Sequence, residues 1–218
     1  MNHYYLVDAA GNKDDENVFC DEYITAGRCH AAPRGEDDEN VFCDEYITAV
    51  RSMKKQCPFD RILFSSFIEK FNRRGQCTTR SIFVTENQIF KLHAQGRWKF
   101  SPMKDGRDIS SVRTVTVTSC NDGLVVLDFG DKNDFVFYFS RGGCRVVEFV
   151  GVLAAEVGKF HSHSLNVIVA DTFKFHIGGR SKQMILVKNH DKSIDEPYFR
   201  SKRSTVKFYW PLKELTME

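Results

Sequence analysis

From Ile62 onward the chain is written as short apolar runs, rich in β-branched and aromatic residues, each cut off by Asn, Asp or Gly. That rhythm belongs to an antiparallel barrel or sandwich and leaves helix in the minority. Strands are expected at about 62–71, 80–86, 88–93, 96–100, 112–118, 124–129 and 135–140. Asn121-Asp122-Gly123 and Gly130 to Asp134 are the clearest hairpin turns, because these residue types tolerate the positive φ of tight turns. In Arg113-Thr-Val-Thr-Val-Thr118, Val115 and Val117 share one face and the threonines the other, as in a sheet wet on one side. The period then changes. Between Gly143 and Phe160, Val146, Phe149, Val150, Leu153 and Val157 recur at helical spacing, and Glu148 and Glu156 are expected off that stripe.

Seven strands closed by one amphipathic helix is the order of a pleckstrin-homology-like bent barrel, with the helix plugging one end. The expected fold class is mainly β with one closing helix, its core at about 62–161. Three further runs, Leu165 to Ile177, Met184 to Lys188 and Thr205 to Trp210, are expected as accessory strands within about 165–211.

Charge divides the chain unevenly. Residues 1–50 hold 12 acidic and 3 basic side chains, whereas the remainder holds 17 acidic and 28 basic. A cationic body of that kind concentrates polyanions, either acidic lipid or nucleic acid. The leader contains the thirteen residues DDENVFCDEYITA twice, at 14–26 and 37–49. Two short acidic copies cannot stack into a repeat fold, which needs about three. Residues 1–53 are therefore expected to be a disordered acidic leader, and 54–218 the folded domain.

Several chemistries are disfavoured. Seven irregularly spaced cysteines without a CxxC pair fit neither a zinc nor a disulfide framework. His161 and His163 form an HxH pair without a third ligand, so no metal site is expected. Cys77 and Cys144 lack an oriented base, no GxxxxGK[ST] loop is present, and no cofactor or enzymatic activity is expected. The start has no apolar signal segment, and the longest apolar stretch, near Val146 to Val157, is broken by two glutamates, so a cytoplasmic location is expected.

Leu63 to Leu92, reading LFSSFIEKFNRRGQCTTRSIFVTENQIFKL, resembles the opening of the tail homology 1 domain of short-tailed class I unconventional myosins. Ile109 to Thr118, Asp122-Gly-Leu-Val-Val-Leu127 and Val147-Glu-Phe-Val-Gly-Val-Leu153 look like its later strands and helix, the last being nearest the Id and Ig subgroup. The resemblance covers roughly Lys54 to Pro211 and implies a peripheral module that binds phosphoinositides and other anionic lipids. Such a module sits at the inner face of the plasma membrane or on endosomal membranes. Actin would be reached only through a motor domain that this chain lacks, as it also lacks a calmodulin-binding IQ helix. The alternative is a protein-interaction module of the same fold; nucleic acid is not an expected partner, since no recognised motif accompanies the charge.

A phosphorylated inositol needs cationic donors converging on a small volume, preferably including an Arg fork. Lys70, ending the first strand, and Arg80, opening the second, should meet at the base of the loop Phe71 to Thr79, and the resemblance places the headgroup Lys and Arg there. Arg73 and Arg74 lie within that loop. A second run, Lys91, Arg97, Lys99 and Lys104 around Trp98 and Phe100, suits contact with an anionic membrane.

Overall fold

The computed structural model describes residues 44–95, 99–102, 106–120, 122–139, 143–160, 164–189 and 196–211. In chain order these are α1 (Asp44–Gln56), β1 (Ile62–Phe71), β2 (Cys77–Thr85), β3 (Gln88–Gln95), β4 (Lys99–Pro102), β5 (Arg107–Asp108) and a 3₁₀ turn at Ile109–Ser111. They continue with β6 (Thr114–Val117), β7 (Leu124–Asp128), β8 (Phe135–Tyr138) and α2 (Gly143–Phe160). Last come β9 (Asn166–Val169), β10 (Thr172–Ile177), β11 (Arg180–Asn189), β12 (Tyr198–Lys202) and β13 (Thr205–Pro211).

The closing helix and strands near the expected positions form, except that the strand expected at 96–100 is seen at Lys99–Pro102, residues 96–98 lying outside the described residues. One curled, unclosed sheet runs β4-β3-β2-β1-β8-β7-β6-β9, with β5 joined to β3. β6 alternates as its sequence indicates, with Val115 and Val117 buried and the threonines half-buried. Gly123 and Gly130 take φ of +78° and +74° at the two expected turns. The barrel interior is filled by Phe64, Ile68, Ile82, Val84, Phe137 and Phe139 against the α2 stripe Val146, Phe149, Val150, Leu153 and Val157. α2 is anchored at the start of β1, where the Arg145 guanidinium donates to the Ser65 carbonyl and lies 4.6 Å from the centre of the Phe64 ring.

Glu156 corrects the expected helix face. It is 5% exposed, because a residue seven positions after Phe149 returns almost to the same side of the helix. Lys159 Nζ, 2.6 Å away, neutralises it at the rim.

The expected leader boundary at residue 53 falls inside α1. Tyr46, Ala49, Val50 and Met53 recur at helical spacing and pack on Phe59, Phe83, Phe90 and Leu92, covering the outer face of β2 and β3. The Tyr46 hydroxyl is 2.7 Å from Ser65 Oγ. The second copy of the duplicated block thus supplies core residues, while the first copy lies outside the described residues.

The accessory strands also differ from expectation. Leu165 to Ile177 does not form one strand: β9 runs parallel beside β6, and β10 joins a separate sheet in the order β10-β11-β13-β12. The break falls at Asp171, whose carboxylate accepts from the Ser119 amide at 2.9 Å and from the Ser119 hydroxyl. β12 is not among the three expected runs, because its exposed residues Tyr198, Arg200 and Lys202 mask the alternation with Phe199 and Ser201. The inner face of this second sheet, with Phe175, Ile177, Met184, Val206 and Phe208, packs on Phe71, Leu124, Val126, Val136 and Tyr138. β7 and β8 are consequently buried on both faces.

Candidate functional site

In the β1–β2 hairpin, Lys70 lies opposite Thr78 and Arg80 opposite Ile68. Directly paired residues of an antiparallel ladder project to one side, so Lys70 and Arg80 are diagonal neighbours on the face that Ile68 turns into the barrel. β3 extends the set: His93 is opposite Arg80 and Lys91 opposite Ile82. β5 adds Arg107, opposite Ile89 on the same face of β3. Five basic side chains from four strands therefore share the barrel's inner face, with Lys70, Arg80 and His93 toward the end where β1 runs out.

The electrostatics match this crowding. Burial, then the Arg80 charge, holds the Lys70 ammonium below its usual range. Burial lowers Arg80 as well, opposed by Glu69. The Lys91 ammonium is pushed down to about 8 by burial and then by Lys70, Arg107 and Arg80. His93 is lowered by burial and by Arg80. Lys91 Nζ lies 4.9 Å from the centre of the Phe135 ring. Arg107 stacks 3.5 Å from the Phe129 centroid and reaches Asp131 Oδ2 at 2.7 Å and the Asn133 carbonyl at 2.8 Å. It thereby fastens β5 to the β7–β8 loop. Arg80 Nη1 donates to the Thr79 carbonyl at 2.6 Å, while its buried Nε has no hydrogen-bond partner. Among the described residues, Lys70, Arg80 and Lys91 form no ion pair.

Arg73 and Arg74 are exposed in the β1–β2 loop, which Asn72 shapes by accepting from the Arg74 and Gln76 amides at 2.8 and 3.2 Å. They rim the mouth and do not share its inner face. Lys91, grouped by sequence with the second run, belongs instead with Lys70 and Arg80 through the β2–β3 register. Lys99 sits in β4 opposite Gln95. Arg97, Trp98 and Lys104 lie outside the described residues, as do His161 and His163. Sequence reasoning missed His93 and Arg107. The alternation of Ile89, Lys91 and His93 against Phe90 and Leu92 was a readable signal for the first; a two-residue strand offers none for the second.

A bent barrel closed by a C-terminal helix, with basic side chains gathered on its inner face, is a pleckstrin-homology-like module. Residues 40–208 match the family described as "Unconventional myosin tail, actin- and lipid-binding", and the chain belongs to that family. It is 28% identical over 166 residues to unconventional myosin-Ig of Mus musculus, covering 74% of this chain and 16% of that protein. It is 27% identical over 158 residues to unconventional myosin ID of Drosophila melanogaster, covering 70% of this chain and 15% of that protein. Among solved structures, the human ARAP2 N-terminal PH domain is similar over 44% of this chain and 80% of its own, with 15% identity and a TM-score of 0.36. The chain thus spans about a sixth of the curated relatives it matches, and it matches their tail rather than their motor. It is a membrane-binding tail module of the class I myosins. Among the described residues, no helix is long and apolar enough to cross a membrane.

Proposed function

We propose that the mouth formed by Lys70, Arg80 and Lys91, with His93 and Arg107 beside them, holds the phosphorylated inositol headgroup of an anionic lipid. The observation that carries this reading is the partial burial of three unpaired cations on one inner face. Desolvated like charges raise the free energy of the empty site, and a polyanion removes that cost while accepting charge-assisted hydrogen bonds. The buried Arg80 Nε, which meets no acceptor among the described residues, supports the same reading. Arg73 and Arg74 then contact phosphates at the rim, and Lys99 and Lys104 with Arg97 and Trp98 add contact with the surrounding membrane. In a longer myosin the module would link an actin-based motor to the cytosolic face of the plasma or endosomal membrane.

Vesicle sedimentation tests this reading. Vesicles matched in net charge, with phosphatidylinositol bisphosphate or with phosphatidylserine alone, should differ in affinity for the intact chain, and Lys70→Ala should abolish the difference. Equal binding to both vesicles by the unaltered protein would refute a headgroup pocket.

A further inference from the structure

The second sheet turns its tips toward the mouth. Gly179 N donates to the Lys132 carbonyl at 3.1 Å and Gly178 N to Asn133 Oδ1 at 3.3 Å, setting the β10–β11 turn against the β7–β8 loop that Arg107 grips. A Cβ placed on Gly178 would lie 3.6 Å from Arg73 Cβ, and one on Gly75 would lie 3.3 Å from Ser201 Cβ, so the β1–β2 loop rests on the same tips. Lys182 Nζ bonds Ser201 Oγ at 3.0 Å and the Arg203 carbonyl at 3.3 Å, which brings the β12–β13 turn alongside.

The β12–β13 turn is cationic beyond what a solvated hairpin requires. Arg200 stands directly opposite Lys207, and Lys202 opposite Thr205, on the exposed face of an open groove completed by Arg203 and Tyr209. Like charges directly across a ladder destabilise it, and among the described residues no carboxylate forms an ion pair with any of the four cations. The described non-glycine residues with positive φ are Lys132 at 56° and Arg203 at 53°, both basic and both on loops beside the mouth. Turns of this kind ordinarily use Gly, Asn or Asp at such positions. An unpaired basic surface that accepts like-charge and backbone cost points to an external anion.

We propose that the β12–β13 hairpin, through Arg200, Lys202, Arg203 and Lys207, is a second contact with an anionic bilayer, so that the module grips the membrane at two places. The bilayer is favoured over a soluble anion because the tips and the mouth face the same side, where a flat charged surface meets both at once and each contact raises the effective concentration of the other. This surface is separate from the headgroup pocket and rests on the membrane-binding reading.

The test uses the full chain, vesicles of phosphatidylcholine with phosphatidylserine and phosphatidylinositol bisphosphate, and soluble inositol trisphosphate as the probe for the mouth alone. Lys202→Gln combined with Arg203→Gln should lower vesicle affinity about tenfold or more, at roughly a fivefold loss per basic residue, and leave inositol trisphosphate binding within about twofold. Arg203→Gly should weaken vesicle binding while the melting temperature holds or rises, because glycine accepts the left-handed turn without strain. Unchanged vesicle binding in both variants would overturn the proposal and assign the patch to an acidic protein or nucleic acid. A parallel loss of inositol trisphosphate binding would also overturn it, by making the hairpin part of the mouth. If Lys70→Ala leaves both ligands untouched while the hairpin variants lose the vesicle, the mouth reading falls and the hairpin contact stands.

Discussion

Lys91 Nζ lies 4.9 Å from the centre of the Phe135 ring, which fixes an ammonium from β3 against β8 inside the barrel mouth. With its proton affinity pushed down to about 8, this group titrates near physiological pH, whereas a free lysine does so near about 10.4. Between those values the unfolded chain holds a proton that the folded chain has released, so the Lys91 contribution to stability grows as pH rises from about 8 to 10. Anion binding moves the opposite way, because Lys91 loses its charge over the same range. Melting temperature and vesicle affinity measured from pH 7 to 9.5 should therefore diverge, and Lys91→Met should flatten both trends.

Lys70→Ala and Arg80→Ala should each weaken binding to vesicles containing phosphatidylinositol bisphosphate by roughly tenfold or more, since a charge-assisted contact contributes about 1.5–3 kcal/mol. Lys99→Ala and Lys104→Ala should cost less. Circular dichroism should show all four folded. Equal losses on both kinds of charge-matched vesicle would reduce the mouth to one part of a diffuse positive surface.

Binding to anionic vesicles should fall steeply from low to physiological salt, because exposed cationic contacts are screened over about 8–10 Å. Arg73→Ala and Arg74→Ala, at the exposed rim, should reduce the salt dependence more than Lys91→Met does.

Removing residues 1–43 should leave the melting transition nearly unchanged, whereas removing residues 1–56 uncovers Phe83, Phe90 and Leu92, each fully buried in the fold. Met53→Ala is the single-site version: the side chain is 2% exposed, and its truncation should cost about 2–5 kcal/mol in denaturant unfolding. A transition that survives loss of α1 intact would show that the helix adds nothing to the core.

Ending the chain after residue 164 should abolish cooperative unfolding rather than yield a minimal barrel. Val126, Val136 and Tyr138 face the second sheet and would be exposed together. Phe208→Ala, at a fully buried site, should cost about 3–5 kcal/mol and sharpen that test.

Sequence periodicity alone determined the strand-rich barrel, the α2 stripe from Val146 to Val157, and the meeting of Lys70 with Arg80. These depend on contacts close along the chain, where a period of two or 3.6 and the turn residues decide which side chains share a face. Tertiary structure decided the rest. α1 was hidden because its apolar face, Tyr46 to Met53, needs the outer surface of β2 and β3 to define it, and its text continues an acidic repeat. Lys91, His93 and Arg107 reached the mouth through strand registers and sheet curvature, and the β12–β13 tip reached its side through the packing of one sheet on another. Such long-range placements follow from the energy of burying whole faces together, which no window of residues contains.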